Sequence, residues 1–408
     1  MKFYINNVSH LCAIGLVSSM LAACGGGSSS NKKTTDDDHH DHGSLLISQA
    51  SSTTISALDE GSLAAFDNTV AFNGATFVRS DNGEFAAIKG GETIYFAGED
   101  GVLLKTIDGN EVLATNGHFS ILQAGSSTLL EVESLEEDTL ETSSTAGLGL
   151  NENFPALMLD EDEEVKLLFV EGKAIVYEGD SASTAEIACT NPSAAAQAHH
   201  AAIVTCDEGV TLLQFEEDES TDTISFEATL LNLDGTDSNY LWSSSEHVFA
   251  GYVPGSSDYA LVHIEEHEAH SETETEAKEA EYELIQPADE DAHAFTGVIC
   301  EAGLEAEDND FIFWLAGGEF VALTNEGELN KTIAVDTSSS NDCADYSLSL
   351  AAKVAYVLDN NAMKFYEIDV DEGAAFYHIH ETLDISVSDI ADSVVLFHNE
   401  AGHGDHDH

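Results

Sequence analysis

The chain has 408 residues, with 77 acidic residues against 12 basic ones and a formal net charge of −65. Apolar residues make up 43% of it, the fraction of a folded protein, so the whole is not a disordered acidic tail. Twelve cations cannot assemble the basic face that phosphate binding needs, which excludes a nucleic-acid binder. Arg79 is the only arginine, so an arginine cluster gripping carboxylate or phosphate is excluded as well. The charge attracts cations, and it also keeps a secreted protein soluble.

Residues 1–23 read as a lipoprotein signal peptide. Lys2 supplies a thin positive start, 11–20 is an apolar stretch too short to span a bilayer, and Leu21-Ala22-Ala23-Cys24 has the form of a lipobox with Cys24 as the lipidated residue. Gly25 follows the cysteine where aspartate would retain the protein at the inner membrane, so the expected address is the periplasmic side of the outer membrane. No second apolar run reaches the roughly 18 residues of a spanning helix, which leaves the lipid as the expected membrane contact. Residues 24–43 are Gly/Ser-rich and then charged, and read as a flexible tether.

From 44 to 398 the pattern is short β-rich runs separated by turn pairs. The runs include 85–88, 93–97, 102–107, 165–170, 173–177, 210–215, 223–231, 311–315, 319–324, 353–358 and 363–368. Asn82-Gly83, Asp100-Gly101, Asp108-Gly109, Asn116-Gly117, Glu171-Gly172, Glu208-Gly209, Gly317-Gly318 and Glu326-Gly327 supply hairpin turns. Only 193–202 and 275–285 have the composition of short helices. So many hairpins exceed one sandwich and fit an all-β, single β-propeller of about seven blades, with six to eight open and two tandem sandwiches as the alternative. Closure of such a ring brings the two chain ends together.

Four cysteines remain after Cys24: Cys189, Cys206, Cys300 and Cys343. In an oxidising compartment they predict two disulfides among three possible connectivities, with Cys189–Cys206 and Cys300–Cys343 favoured by proximity in sequence. A four-cysteine zinc site would call for C-x2-C spacing, which the chain lacks.

Histidines carry the functional signal. Asp36-Asp37-Asp38-His39-His40-Asp41-His42 precedes the body, and the tail 399–408 ends His403-Gly404-Asp405-His406-Asp407-His408. Imidazole and carboxylate are ligands for zinc and similar divalent ions. His263, His267 and His270 sit in or beside the acidic run 265–283, and His378-x-His380 places two rings on one face of a strand. His263-Ile264-Glu265-Glu266-His267 spells H-x-x-E-H, but that motif works on a helix inside a helical domain, and this chain offers none. His293 and His398 read as structural.

Several stretches resemble the AztD-type periplasmic zinc metallochaperones. They are Asp41-His42-Gly43-Ser44-Leu45-Leu46-Ile47 with Ile55-Ser56-Ala57-Leu58-Asp59, Asn116-Gly117-His118-Phe119, the Cys189 to Cys206 segment running on to Asp207-Glu208-Gly209-Val210, and Glu246-His247 through Gly251-Tyr252 with Tyr259-Ala260-Leu261-Val262. The resemblance implies a propeller that carries zinc and hands it to the solute-binding protein of a zinc ABC importer. By position it implies His118 and His247 as body ligands. His199 and His200 stand further from the first cysteine than the family's histidine does. The expected metal set is therefore His118, His199, His200 and His247 in the body, with His39, His40, His42, His403, His406 and His408 in the tails, on a monomer.

Three functions compete. One is zinc trafficking from the cell envelope. The second is a propeller used as a protein-binding platform at the outer membrane, by analogy of fold. The third is an enzyme, for which no Gly-x-Ser-x-Gly, His-Glu-x-x-His, phosphate-loop or dinucleotide motif is found; the expectation is that the protein is not one.

Overall fold

A computed structural model describes the chain between Ser44 and Leu396, apart from 51–54, 60–61, 67–74, 81–84, 91, 99–102, 110, 116–117, 124–127, 136–139, 147–149, 151–153, 155, 160–164, 179–180, 199–200, 219–222, 234–238, 246, 265–281, 290–291, 305–310, 336–341, 351–353, 371–376 and 386–389. The segments expected as signal peptide, tether and His/Asp tail lie outside the described residues.

The described chain is a β-propeller of eight four-stranded antiparallel sheets. Blade 1 joins Ser44–Gln49, Ile55–Asp59 and Ser62–Phe66 to the last strand, Ile390–Leu396. Blades 2 to 8 follow in chain order over 76–108, 111–146, 157–188, 194–230, 241–285, 299–334 and 346–384. Eight lies within the range expected from sequence. The preferred seven came from assuming longer blades, whereas blade 4 closes within 157–188. The first strand of each of blades 2 to 8 is innermost, and in blade 1 the innermost strand is Ile390–Leu396. These eight inner strands neighbour one another round the axis, and the ring closes where Ile390–Leu396 meets Thr76–Arg79 on one side and Tyr346–Leu350 on the other.

Closure is a matter of side-chain alternation. A sheet standing radially has both faces covered, so its strands read as continuous apolar runs, not as apolar/polar alternation. In Ser44–Gln49, Leu45 and Ile47 pack with Tyr356 and Phe365 of blade 8, while Leu46 between them packs with Ala86 and Ile88 of blade 2. The same holds all the way round: eight separate apolar clusters fill the eight gaps between neighbouring blades. Between blades 3 and 4 a short apolar cluster is supplemented by an ion pair, in which Lys166 Nζ reaches both Glu131 carboxylate oxygens at 2.9 and 3.0 Å with both residues buried. Such a pair contributes little net stability, but losing one partner would strand the other charge.

Both favoured disulfides are present, Cys189–Cys206 and Cys300–Cys343, with Cα–Cα distances of 5.1 and 4.7 Å. The first ties blade 5 to the end of blade 4, and the second ties blade 7 to the short 3-10 turn Cys343–Asp345 that precedes blade 8. Oxidised in pairs, these cysteines supply no thiolate for zinc.

Three expectations change. The alanine-rich stretch 193–202 is not a helix: it contributes the strands Ala194–Ala198 and Ala201–Cys206, because pairing in blade 5 overrides the weak helical preference of alanine. Of 275–285, Tyr282–Ile285 is the outer strand of blade 6 and the rest lies outside the described residues. Asp108-Gly109 is not a hairpin turn but the junction from blade 2 to blade 3, and glycine is needed there because a Cβ would collide with the Ile121 side chain. Glu171-Gly172 does make its hairpin, with Gly172 at φ 78°.

Two carboxylates on inner strands are held against ionisation. Burial pushes the Glu301 carboxyl up to about 7, its Oε2 accepts from the Tyr252 hydroxyl at 3.0 Å, and the charge of Asp392 raises it further. Burial also raises Asp392, whose two oxygens accept from the Phe77 and Ser393 amides. A carboxyl whose folded pKa exceeds its unfolded value favours the folded state fully below the unfolded pKa and loses that contribution as pH rises through the folded one. Stability should therefore fall between about pH 4.5 and just above 7. Glu301→Gln should flatten that decline, by ~1–2 kcal/mol after allowing for the residue's partial exposure. Urea unfolding at pH 5 and pH 8 checks it, and an undiminished slope in the variant contradicts it.

Candidate metal-binding face

Four strands per blade is an even number, so the chain leaves each blade on the face by which it entered. All turns from a first to a second strand, and from a third to a fourth, therefore lie on one face of the ring. All connections between blades lie on the other, together with the turns from second to third strand. In blade 1 the innermost strand is the last of the chain, so Leu396 ends, and Ser44 begins, on the first of these faces, with their Cα atoms paired.

The expected body ligands distribute accordingly. His118 opens the second strand of blade 3, His118–Leu122, paired with Thr115 across the turn. His247 stands in the corresponding turn of blade 6, between Leu241–Ser244 and Val248–Tyr252. Both belong to the face where Ser44 and Leu396 pair. His199 and His200 lie outside the described residues; the strands that flank them, in blade 5, pair end to end at Ala198 and Ala201. Blades 4 and 5 separate His118 from His247, so topology shares a face between them without making them neighbours. The tail histidines His39, His40, His42, His403, His406 and His408, like Cys24, His267, His270 and His398, lie outside the described residues. The two disulfides belong to the opposite face, since Cys206 ends a second strand and Cys300 begins a first one.

Beside His247 stands a histidine that the resemblance does not supply. His263, near the end of the third strand of blade 6, pairs with Val248 on one side and with Glu283 on the other. The Ile264 amide donates to the His247 carbonyl at 2.8 Å. Burial lowers the His263 pKa; the neighbouring His247 lowers it further, while Glu283, the Asn325 carbonyl and Glu326 oppose this. Asn325 and Glu326 come from the turn of blade 7 shaped by Gly327 at φ 79°, where a Cβ would press on Ile285. His263 Nε2 is buried with no hydrogen-bond partner. The hairpin of Val248–Tyr252 and Tyr259–Ile264 brings His263 opposite Val248, the residue after His247.

Elsewhere, His378 and His380 are exposed on the outer strand of blade 8 with ring centroids 6.3 Å apart. His293 packs edge-on to Phe295 in the connection before blade 7, and its carbonyl accepts from the Tyr259 hydroxyl, the structural role expected of it. Among the described residues no three His, Cys, Asp or Glu side chains converge on a point where a metal could sit.

No family model and no curated protein matches the chain. Among solved structures, the apo form of AztD from Citrobacter koseri superposes with a TM-score of 0.61 at 13% identity, covering 88% of this chain and 99% of that one. A second structure of Citrobacter koseri AztD gives 0.60 at 13% identity, covering 88% and 100%. The dihydro-heme d1 dehydrogenase NirN, in complex with DHE, gives 0.50 at 6%, covering 86% and 74%. At these identities the likeness is one of fold, and it extends over nearly the whole length of AztD.

Because the disulfides belong to one face and His118, His247 and His263 to the other, their effects should separate. Replacing Cys189 and Cys206 together by serine should lower unfolding stability by about 3 kcal/mol and leave the zinc-binding isotherm of the folded protein unchanged. Denaturation beside zinc calorimetry checks this, and a changed isotherm at full folding contradicts the separation.

Proposed function

We propose that this protein is a zinc-binding lipoprotein of the cell envelope that carries zinc and passes it to the solute-binding protein of an importer. The observation that carries this reading is the pairing of Ser44 with Leu396: it starts both His/Asp segments from the face that bears His118 and His247. Histidine and aspartate ligands on segments that join the body at this face would take up an ion and deliver it by stepwise ligand exchange. The net charge of −65 raises the local concentration of cations around both. The AztD-like fold and the sequence resemblance support the same role. Nothing in the reading assigns catalysis. Cys24 would hold the protein to the outer membrane, facing the periplasm, as a monomer.

The test is zinc transfer. In the full chain, His39, His40, His42, His403, His406 and His408 changed together to asparagine should reduce zinc stoichiometry and slow transfer to a purified zinc solute-binding protein at least tenfold. Tight binding by the body should persist. Unchanged stoichiometry and transfer would contradict the role of the tails. For the anchor, palmitate labelling in cells should disappear in Cys24→Ser, with the protein released from membranes; labelling that persists would contradict it.

A second reading, a protein-binding platform, draws on exposed Leu230, Leu241 and Val298, which fall at strand ends of blades 5, 6 and 7 on the disulfide face. It predicts crosslinked partners that a chelator does not release. Partners lost on chelation would count against it.

A further inference from the structure

We infer that His378 and His380 form an open two-imidazole site for a divalent transition metal on the outer strand of blade 8, where the ion is held for exchange. This rests on the reading of zinc as cargo and names a place for the ion in the body.

The argument starts from the strand. His378–Asp384 is the outermost strand of blade 8 and pairs with Lys364–Asp369. Ile379 packs against the cluster that fills the seam with blade 7, which holds Ile368, Trp314 and Phe320. Alternation turns the preceding His378 to the other face of the sheet. On that face Phe365 and Leu383 meet Leu45 and Ile47 of blade 1. The register shifts by one between Glu367 and Ile368, so His380 is the extra residue of a β-bulge. A bulge bends its strand and re-aims a side chain. Here the His380 ring stands beside that of His378, with centroids 6.3 Å apart and planes at 75°.

That spacing is close to what one ion requires. With a zinc–nitrogen bond of about 2.0–2.1 Å, each ligating ring is centred roughly 3.2 Å from the metal, so two such rings stand about 5–6 Å apart. Both histidines are exposed, so side-chain rotation closes the remaining gap and the ion enters directly from solvent. Three carboxylates share this face of the sheet: Asp369 is directly opposite His378, and Glu367 is opposite Glu381. Among the described residues none of them completes a group of three converging ligands. Asp369 instead holds the position from which a carboxylate accepts the spare N–H of a ligating imidazole and fixes its orientation. The local negative charge also lowers the cost of bringing a dication to the rings.

The place in the ring suits exchange. A fourth strand starts from the turn that follows the third, so His378 opens on the face where Ser44 and Leu396 pair. That pairing belongs to blade 1, which packs against blade 8. Two protein ligands leave two positions of a tetrahedral zinc ion open. A donor from a receiving protein enters there before the imidazoles let go, so the ion passes on without being released to solvent. Four protein ligands would close that route.

The experiment uses the full chain carrying asparagine at His39, His40, His42, His403, His406 and His408, so that the body is read alone. Zinc calorimetry gives stoichiometry and affinity, and Cu(II) electron paramagnetic resonance counts the nitrogens bound to the metal. We expect His378→Asn and His380→Asn each to weaken one zinc site at least tenfold, and each to remove one nitrogen from a two-nitrogen copper spectrum. Both residues are exposed on an outer strand, so these variants keep the fold, which circular dichroism verifies. His118→Asn should change that site less than threefold. With the tail histidines restored, His378→Asn and His380→Asn together should slow zinc transfer to a purified solute-binding protein at least threefold. An isotherm and copper spectrum unchanged by the double substitution would overturn the inference, and the carrier reading would then rest on the other histidines. Binding lost with transfer unchanged would overturn it too, because the pair would be a surface chelate off the path of the cargo. If the tail-substituted chain binds no zinc while the unsubstituted chain does, the inference falls and the tails remain as carriers. If neither binds, both readings fall together. If the pair binds zinc but no form of the chain transfers it, the metal site stands and the carrier reading falls.

Discussion

Everything in this fold depends on apolar packing between sheets that stand edge-on to a common axis. No blade has an exposed face to spare. Each strand divides its side chains between two neighbours, as Leu45, Leu46 and Ile47 do, so a blade is stable only with blades on both sides. A ring satisfies that requirement for every member, and the last strand closes it by becoming the inner strand of the first blade. The disulfides reinforce two of the seams from one side.

This closure also organises function. Because each blade has four strands, the ring has a face of connections and a face of hairpin turns. Connections must keep successive blades in register, and here they carry both disulfides. Hairpin turns are free of that duty. They carry His118, His247 and His263, and the same face receives the first described strand and releases the last.

Much of the fold was legible because its cause is local. Glycine turn pairs and apolar runs marked the strands only in part, eleven of the 32 described strands being named as runs, and the even cysteine count with short spacings marked both disulfides. The blade number was less legible, since divergent repeats leave the length per blade as the only guide. The Ala-rich hairpin of blade 5 misled because alanine's propensity favours a helix and only the neighbouring strands decide otherwise. Asp108-Gly109 misled because its glycine answers a steric demand from Ile121, a residue of the next blade. Of the candidate site, His118 and His247 were reachable through resemblance. His263 stood out only as one of a group with His267 and His270, and its place opposite Val248 comes from a register that sequence does not print.

The central claim is that the His/Asp segments and the body histidines work on one face. The most direct measurement places a nitroxide on the C-terminal segment through Gly402→Cys and reads broadening of histidine and backbone signals with and without zinc. The account predicts that zinc increases broadening at His118, His247 and His263 and leaves Thr190 and Asn191, beside the Cys189–Cys206 disulfide, unaffected. Broadening that does not respond to zinc, or that appears on the disulfide face, would contradict it.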